Sequence, residues 1–432
     1  MKTSFDAARL QEPAIAEANT ILRACVHCGF CNSSCPTYAL TGDERDGPRG
    51  RIWLIRDLLE TDGPPAGEAV FHLDRCIECL ACMPACPSGV DYRHLIGIAR
   101  EQIAQRTKRP LIERLLRGVM AAVLTHPARL RVAAVFASAF AFFAPVLPGR
   151  LAAPLRLAAR LPSPDRSAAP APPIAGERKG RVALLAGCVQ QATAPGIDAA
   201  LVRVLARAGI EAVVLDNAAC CGALDKHLGR ADVARAKARD VIAALARVDA
   251  AGHVDAVIQT SSGCGALMKD YGHLLAGDVQ WAARAKDFAA RVRDASEVLA
   301  ALDLPFRRDL PALDVAWQAP CSLANAQRIS AEPAGLMRAA GFKVGLPADG
   351  GRCCGAGGVY NALEPEMAAA LARRKAEALA ATGGSVIVSA NIGCMVQLAG
   401  RGETPVLHLV ELLDWATGGP EPAALRGLLN GS

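Results

Sequence analysis

Sixteen cysteines lie in this 432-residue chain, and their spacing says more than their number. CVHCGFCNSSCP supplies Cys25, Cys28, Cys31 and Cys35 before Pro36, and CIECLACMPACP supplies Cys76, Cys79, Cys82 and Cys86 before Pro87. Both runs read C-x2-C-x2-C-x3-C-P, in which three close thiolates wrap one corner set of a cubane and the fourth Cys reaches the neighbouring cluster. On that logic Cys25, Cys28, Cys31 and Cys86 hold one [4Fe–4S] cluster, and Cys35, Cys76, Cys79 and Cys82 hold a second. Zinc would want two ligand pairs rather than three even ligands and a fourth before Pro. Two cubanes make a short electron wire and do no bond chemistry on an organic substrate.

The other eight cysteines form an internal duplication. Cys188 precedes Cys220–Cys221 and Cys264; Cys321 precedes Cys353–Cys354 and Cys394. The first interval is 32 residues in both copies, the last 43 and 40, and each adjacent pair is followed by Gly222 or Gly355. Four converging thiols per copy could hold a further cluster, form a redox-active disulfide or line a cofactor pocket. His227 and His273 are given no role.

These thiols need elements to place them. Short β-branched runs (VALLAG, AVVLDN, AVIQT, then DVAWQAP, FKVGLP, SVIVSA) lead into the cysteines of the two copies and alternate with helical segments. That pattern predicts parallel sheets with covering helices, whose crevice lies beyond the carboxyl ends of the strands. Between the ferredoxin runs, residues 41–60 predict a Gly-Pro turn and an amphipathic helix. Arg49 and Arg51 there could neutralise cluster charge, meet a partner, or cap and solvate the turn.

Hydrophobic residues at 52% and charged residues at 21% exclude wholesale disorder, and a net charge of +6 over this length argues against a nucleic-acid binder. The opening MKTSFDAARLQEP carries no apolar stretch and does not read as a secretory signal, so a reducing, cytoplasmic setting is expected. From Ala104 to Arg181, fourteen Lys and Arg face three acids. Inside that stretch Val132–Pro148 is uncharged for 17 residues, short for a membrane span and interrupted by Pro145. Two readings stand: peripheral contact with the cytoplasmic face of an anionic inner membrane, or a packed hairpin or subunit interface. Residues 162–180, rich in Pro, Ala and Ser, read as a linker.

The domains expected are therefore a mostly helical two-cluster ferredoxin-type unit (1–100), a basic apolar segment and linker (101–180), and two pseudo-symmetric α/β repeats (181–300 and 301–432), an α+β, α/β multidomain chain. No G-x-G-x-x-G follows a strand and no Walker motif is present, so no nucleotide, nicotinamide or flavin site is expected.

The tandem runs, DGPRGRI and the doubled C…CCG…C pattern resemble the iron–sulfur subunit of bacterial glycolate oxidase (glycolate dehydrogenase), with the likeness covering nearly the whole chain. The C-terminal copies are similar to the CCG domains of heterodisulfide reductases, lactate-utilisation proteins and anaerobic glycerol-3-phosphate dehydrogenase. The resemblance implies an electron-transfer subunit beside FAD-bearing partners that oxidise glycolate to glyoxylate, passing electrons towards a quinone-type acceptor. It repeats the ligand sets given above. The alternatives are a subunit of a glycerol-3-phosphate or D-lactate dehydrogenase, or a heterodisulfide-reductase-like thiol catalyst. Heterodisulfide-reductase copies end in CxxC, whereas Ser261 and Asn391 stand three residues before Cys264 and Cys394. That departure disfavours both a non-cubane cluster and the thiol catalyst.

Overall fold

The computed structural model describes residues 1–144, 146–147, 149–158, 172–174, 177–216, 220–349 and 351–429. Most of the expected linker at 162–180, and Pro145, lie outside the described residues.

The N-terminal part is helical. Pro13 and Pro48 open α1 (Pro13–Ala24) and α2 (Pro48–Glu60), where a fixed φ suits the first turn and no N–H is missed. They are followed by α3 (Gly67–Asp74) and α4 (Tyr92–Arg106), the latter capped by the Asp91 carboxylate, which accepts the His94 N–H. Apolar positions three and four apart (Ile15, Ala18 and Leu22 on α1; Ile52, Ile55 and Leu59 on α2; Leu95, Ile96, Ala99 and Ile103 on α4) meet in one core that also takes in Cys25, Cys76 and Cys82. Residue 100, the expected domain limit, falls inside α4.

Next come α5 (Leu111–Leu124) and α6 (Pro127–Ala139), bent by 117° to each other. Among the described residues no single helix is long and apolar enough to cross a membrane. One face of α5 (Leu116, Met120, Ala121, Leu124) packs on Leu228, Val359 and Ala362 of the C-terminal half. Leu111, Ile112, Leu115 and Val119 on α5, with Val132, Val135 and Phe136 on α6, stay exposed.

The C-terminal half contains two four-stranded parallel sheets of the same order. The first runs β2-β1-β3-β4, with β1 Gly180–Leu184, β2 Ile210–Val214, β3 Ala256–Gln259 and β4 Val292–Asp294. The second runs β6-β5-β7-β8, with β5 Asp314–Gln318, β6 Lys343–Gly345, β7 Val386–Ser389 and β8 Val406–His408. The six runs named from sequence all form strands. The three-residue edge strands β4 and β8 carry too little pattern to stand out.

Between the sheets lie α7 (Gly196–Arg207) and α10 (Leu409–Ala416), while α8 (Ala231–Ala250) and α9 (Pro365–Ala380) follow the adjacent cysteine pairs. Leu201, Val204 and Leu205 of α7 and Leu412, Leu413 and Trp415 of α10 join both sheets in one core. Arg203 and Arg207 clamp this joint by donating to the buried Asp414 at 2.9 and 2.8 Å. The copies are thus one body, with their strand ends facing each other. The Ser262 N–H donates to the Ala390 carbonyl at 3.2 Å, and the Ser262 and Ser322 hydroxyls lie 2.7 Å apart.

Candidate functional site

Two adjoining clefts open beside the helical core. Cys25, Cys28, Cys31 and Cys86 line the first, with Arg49, Ile52 and Tyr92. Cys35, Cys76, Cys79 and Cys82 line the second, with Thr37, Arg51 and Tyr92, and Cys82 also borders the first. The chain therefore gathers three cysteines of each run with the last cysteine of the other. Cys28 is exposed, whereas Cys35, Cys76, Cys79 and Cys82 are all buried, so the first cleft faces outward and the second inward.

The loops are built for close approach. His27 and Gly29 have φ of 56° and 85°, and Glu78 and Leu80 have 53° and 57°, the same two offsets after the first cysteine of each run. Left-handed backbone is disfavoured for side chains with a Cβ and persists where the surroundings demand it. Alternating it with ordinary backbone turns successive N–H groups to one side, a concavity suited to an anionic group. Burial pushes the Cys31 thiol up to about 11 and those of Cys79 and Cys82 well above their usual range. Such thiols ionise when a metal replaces the proton. Soft sulfur donors in fours, a nest of amides and a buried cation fit an iron–sulfur group.

That cation is Arg51, on the inner face of α2. It is 1% exposed; its Nε donates to the His72 carbonyl at 2.9 Å and its Nη1 to Thr37 Oγ1 at 3.0 Å. Arg49, two residues earlier and so on the opposite face, instead pairs with the half-exposed Glu44 at 2.7 Å.

In the first cysteine-rich copy, Cys188 and Cys220 bring their sulfurs to 3.7 Å. Hydrogen bonds from Cys188 and Cys221, with Lys237 nearby, lower the Cys220 thiol despite its burial. In the second copy Cys321 and Cys353 lie 3.9 Å apart and Cys354 and Cys394 lie 2.9 Å apart. Hydrogen bonding and burial raise Cys321, while in Cys354 burial and the Cys394 contact outweigh the lowering bond from Cys353. Gly222 and Gly355 carry φ of 89° and 85° against Ala234 and Ala368; a Cβ on Gly355 would collide with the Ala368 carbonyl, and one on Gly222 would crowd the Ala234 backbone. Ser261 and Asn391, the residues in place of the CxxC cysteines, meet across the pseudo-twofold with side-chain oxygens 3.5 Å apart.

The copies are not equivalent towards the ferredoxin part. Cys79 shares an apolar cluster with Cys353, Tyr360 and Met367, against which Cys321 packs, and Asn325 Nδ2 donates to the Cys79 carbonyl at 2.9 Å. The first copy instead meets the second run through Glu78, which pairs with His227 and Arg100. Burial would raise Glu78, but Arg100 and the His227 contact hold it at about 2. His273 contacts Glu17 at 2.7 Å and stacks on His94 with ring centroids 3.5 Å apart. The two histidines without a role in the sequence reading are thus joints between the halves. Their partners lie more than a hundred residues away, so no local signal marks them.

Comparison with known proteins agrees with this architecture. Residues 24–90 match the 4Fe-4S dicluster domain, and residues 182–269 and 315–399 each match the cysteine-rich domain. The molecule is thus an iron–sulfur protein with a helical dicluster domain docked on two fused cysteine-rich α/β domains. It is 38% identical over 416 residues to the glycolate oxidase iron-sulfur subunit of Escherichia coli (strain K12), covering 96% of this chain and 99% of that protein. It is 34% identical over 422 residues to the probable glycolate oxidase iron-sulfur subunit of Bacillus subtilis (strain 168), covering 91% and 94%. Lactate utilization protein A of Shouchella clausii (strain KSM-K16) is 26% identical over 242 residues, 54% of this chain and 98% of that protein. The chain belongs to the glycolate oxidase iron–sulfur subunit family.

Proposed function

We propose that this chain relays electrons inside a glycolate-oxidising complex. FAD-bearing partner subunits take two electrons and two protons from glycolate, giving glyoxylate, and this chain delivers the electrons towards a quinone-type acceptor. The observation that carries the reading is the pair of adjoining four-cysteine clefts, in a chain that aligns from end to end with glycolate oxidase iron–sulfur subunits. Cys25, Cys28, Cys31 and Cys86 would hold one [4Fe–4S] cluster, and Cys35, Cys76, Cys79 and Cys82 the other. Bound there, the clusters supply one-electron steps between a two-electron flavin and a quinone. The exposed edge at Cys28 suits exchange with a partner, and the buried second set suits exchange within the chain.

Affinity purification of the tagged chain should bring down FAD-containing subunits, and the assembly should reduce a quinone analogue when given glycolate. Reduction by D-lactate or glycerol 3-phosphate, with glycolate inert, would place the chain in one of those sibling complexes instead.

We also propose that the outer faces of α5 and α6 rest in the headgroup zone of the cytoplasmic leaflet. Leu111, Ile112 and Leu115 lie 68–78% exposed along α5, and Phe136 and Phe142 continue the apolar surface beyond the bend. Arg109 and Arg117 do not serve this surface, because both are tied to Asp74 and Glu113. Exposed Arg114 and the chain's basic middle segment add attraction to anionic lipid. Replacing Leu111, Ile112, Leu115 and Phe136 with Ser should weaken flotation with anionic vesicles by roughly a hundredfold or more, since each such side chain contributes on the order of 1 kcal/mol even when half-buried. Unchanged flotation would assign the surface to a partner subunit.

A further inference from the structure

The second cysteine set lies in a buried place, where adding an electron is unfavourable. Its four cysteines are buried, and the cleft is walled by Pro36, Pro48, Ile77 and Leu80. Water is largely excluded, so extra negative charge there must be balanced by the protein itself. Of the charged side chains in the lining, Glu78 is paired with Arg100 and His227, and Arg51 is the cation positioned to do so. Arg51 lines the cleft, is 1% exposed and brings Nη1 to 4.0 Å from Cys35 Sγ.

The support of Arg51 shows a charge aimed by its neighbours. The guanidinium is held by the His72 carbonyl, Thr37 Oγ1 and, at 3.4 Å, Asp46 Oδ1. Asp46 is fully buried and faces two further donors, His72 Nδ1 at 3.0 Å and Arg75 Nη1 at 2.7 Å, so two permanent cations, Arg51 and Arg75, share one carboxylate. The surplus positive charge sits beside the second set. Thr37 bridges the two parts, its hydroxyl lying 2.7 Å from the Asp46 carbonyl and 3.2 Å from Cys35 Sγ.

We propose that Arg51 sets the reduction potential of the cluster held by Cys35, Cys76, Cys79 and Cys82, its buried charge stabilising the reduced form, while Asp46 limits how far that stabilisation goes. The inference rests on the ligand sets proposed above. Local charge and hydrogen bonding to the sulfurs are the protein's main means of moving such potentials. The same two side chains also brace α2 against α3, so the test must separate charge from bracing.

Redox titration of the anaerobically purified full chain, followed by electron paramagnetic resonance, makes that separation. Arg51→Gln keeps hydrogen-bonding capacity and loses the charge. It should shift the reduction equilibrium of one centre at least tenfold towards the oxidised form, about 59 mV for a one-electron couple, and leave the other centre in place. Arg51→Lys, which keeps the charge without the fork, should lie closer to the parent. Asp46→Asn should move the same centre in the opposite direction. If Arg51→Gln loses iron, the Asp46→Asn titration decides: an upward shift supports the proposal, and no shift or a downward one overturns it. Two loaded centres that ignore Arg51→Gln also overturn it and leave the ligand sets standing. A parent without two one-electron centres would overturn the ligand sets themselves.

Discussion

Serine at Cys79 should leave the flavin of the assembled complex reducible by glycolate and bring acceptor reduction down to the level of a complex lacking this chain. Cys79 is buried, lines the inner cleft, and lies in the same apolar cluster as Cys353 of the second cysteine-rich copy. A hydroxyl there is a poor, hard ligand for iron and leaves that corner of the site open to hydrolysis. Iron should fall from about eight per chain in the two ferredoxin sites towards about four, with loss of the matching thiolate-to-iron absorption. Cys28→Ser should produce the same separation of flavin from acceptor, with the lesion at the exposed cleft. A Cys28→Ser, Cys79→Ser double variant that still reduced the acceptor at the parental rate would remove both clusters from the route.

Cys354→Ser carries the second large effect. Cys354 and Cys394 lie 2.9 Å apart in a buried site, and Cys321 and Cys353 lie 3.9 Å apart beside them. Four soft donors held so close favour metal over a standing disulfide. The variant should therefore contain clearly less iron than the parent, up to about four atoms per chain if a cubane is lost, and Cys221→Ser should report on the first copy in the same way. The thiol count of the denatured protein gives the opposing result. Iron unchanged, with two thiols disappearing on oxidation of the parent and not of the variant, would make the pair a redox disulfide. Because Cys353 packs with Cys79, the measurement belongs on the full chain, where the ferredoxin part covers that site.

Much of this molecule is written in local spacing. The geometry of a cubane-binding loop is set within a dozen residues, so the two C-x2-C-x2-C-x3-C-P runs were enough to predict which cysteines share a cleft. The 32-residue interval and the β-branched runs likewise led to two sheets of identical strand order, because parallel strands and their crossovers are short-range units. Even the divergence of Arg49 and Arg51 follows from helix geometry once α2 is oriented: two residues are about 200° of turn, so one points out to Glu44 and the other in to Cys35.

Which way α2 faces, however, depends on the core it packs against, and that core is assembled from α1, α2, α3 and α4 together. The docking of the ferredoxin part was equally beyond reach. That the second copy, and not the first, presents its thiols to Cys79 depends on contacts such as Asn325 with Cys79 and His227 with Glu78, which join side chains more than a hundred positions apart. The sequence by itself determined the two cysteine runs and the repeat, since both are written in short, fixed spacings along the chain. Only the tertiary structure decided which cleft is buried, which arginine lies against it and which repeat faces it, because those outcomes come from the packing of whole surfaces, and packing free energy is shared among residues that the chain itself keeps far apart.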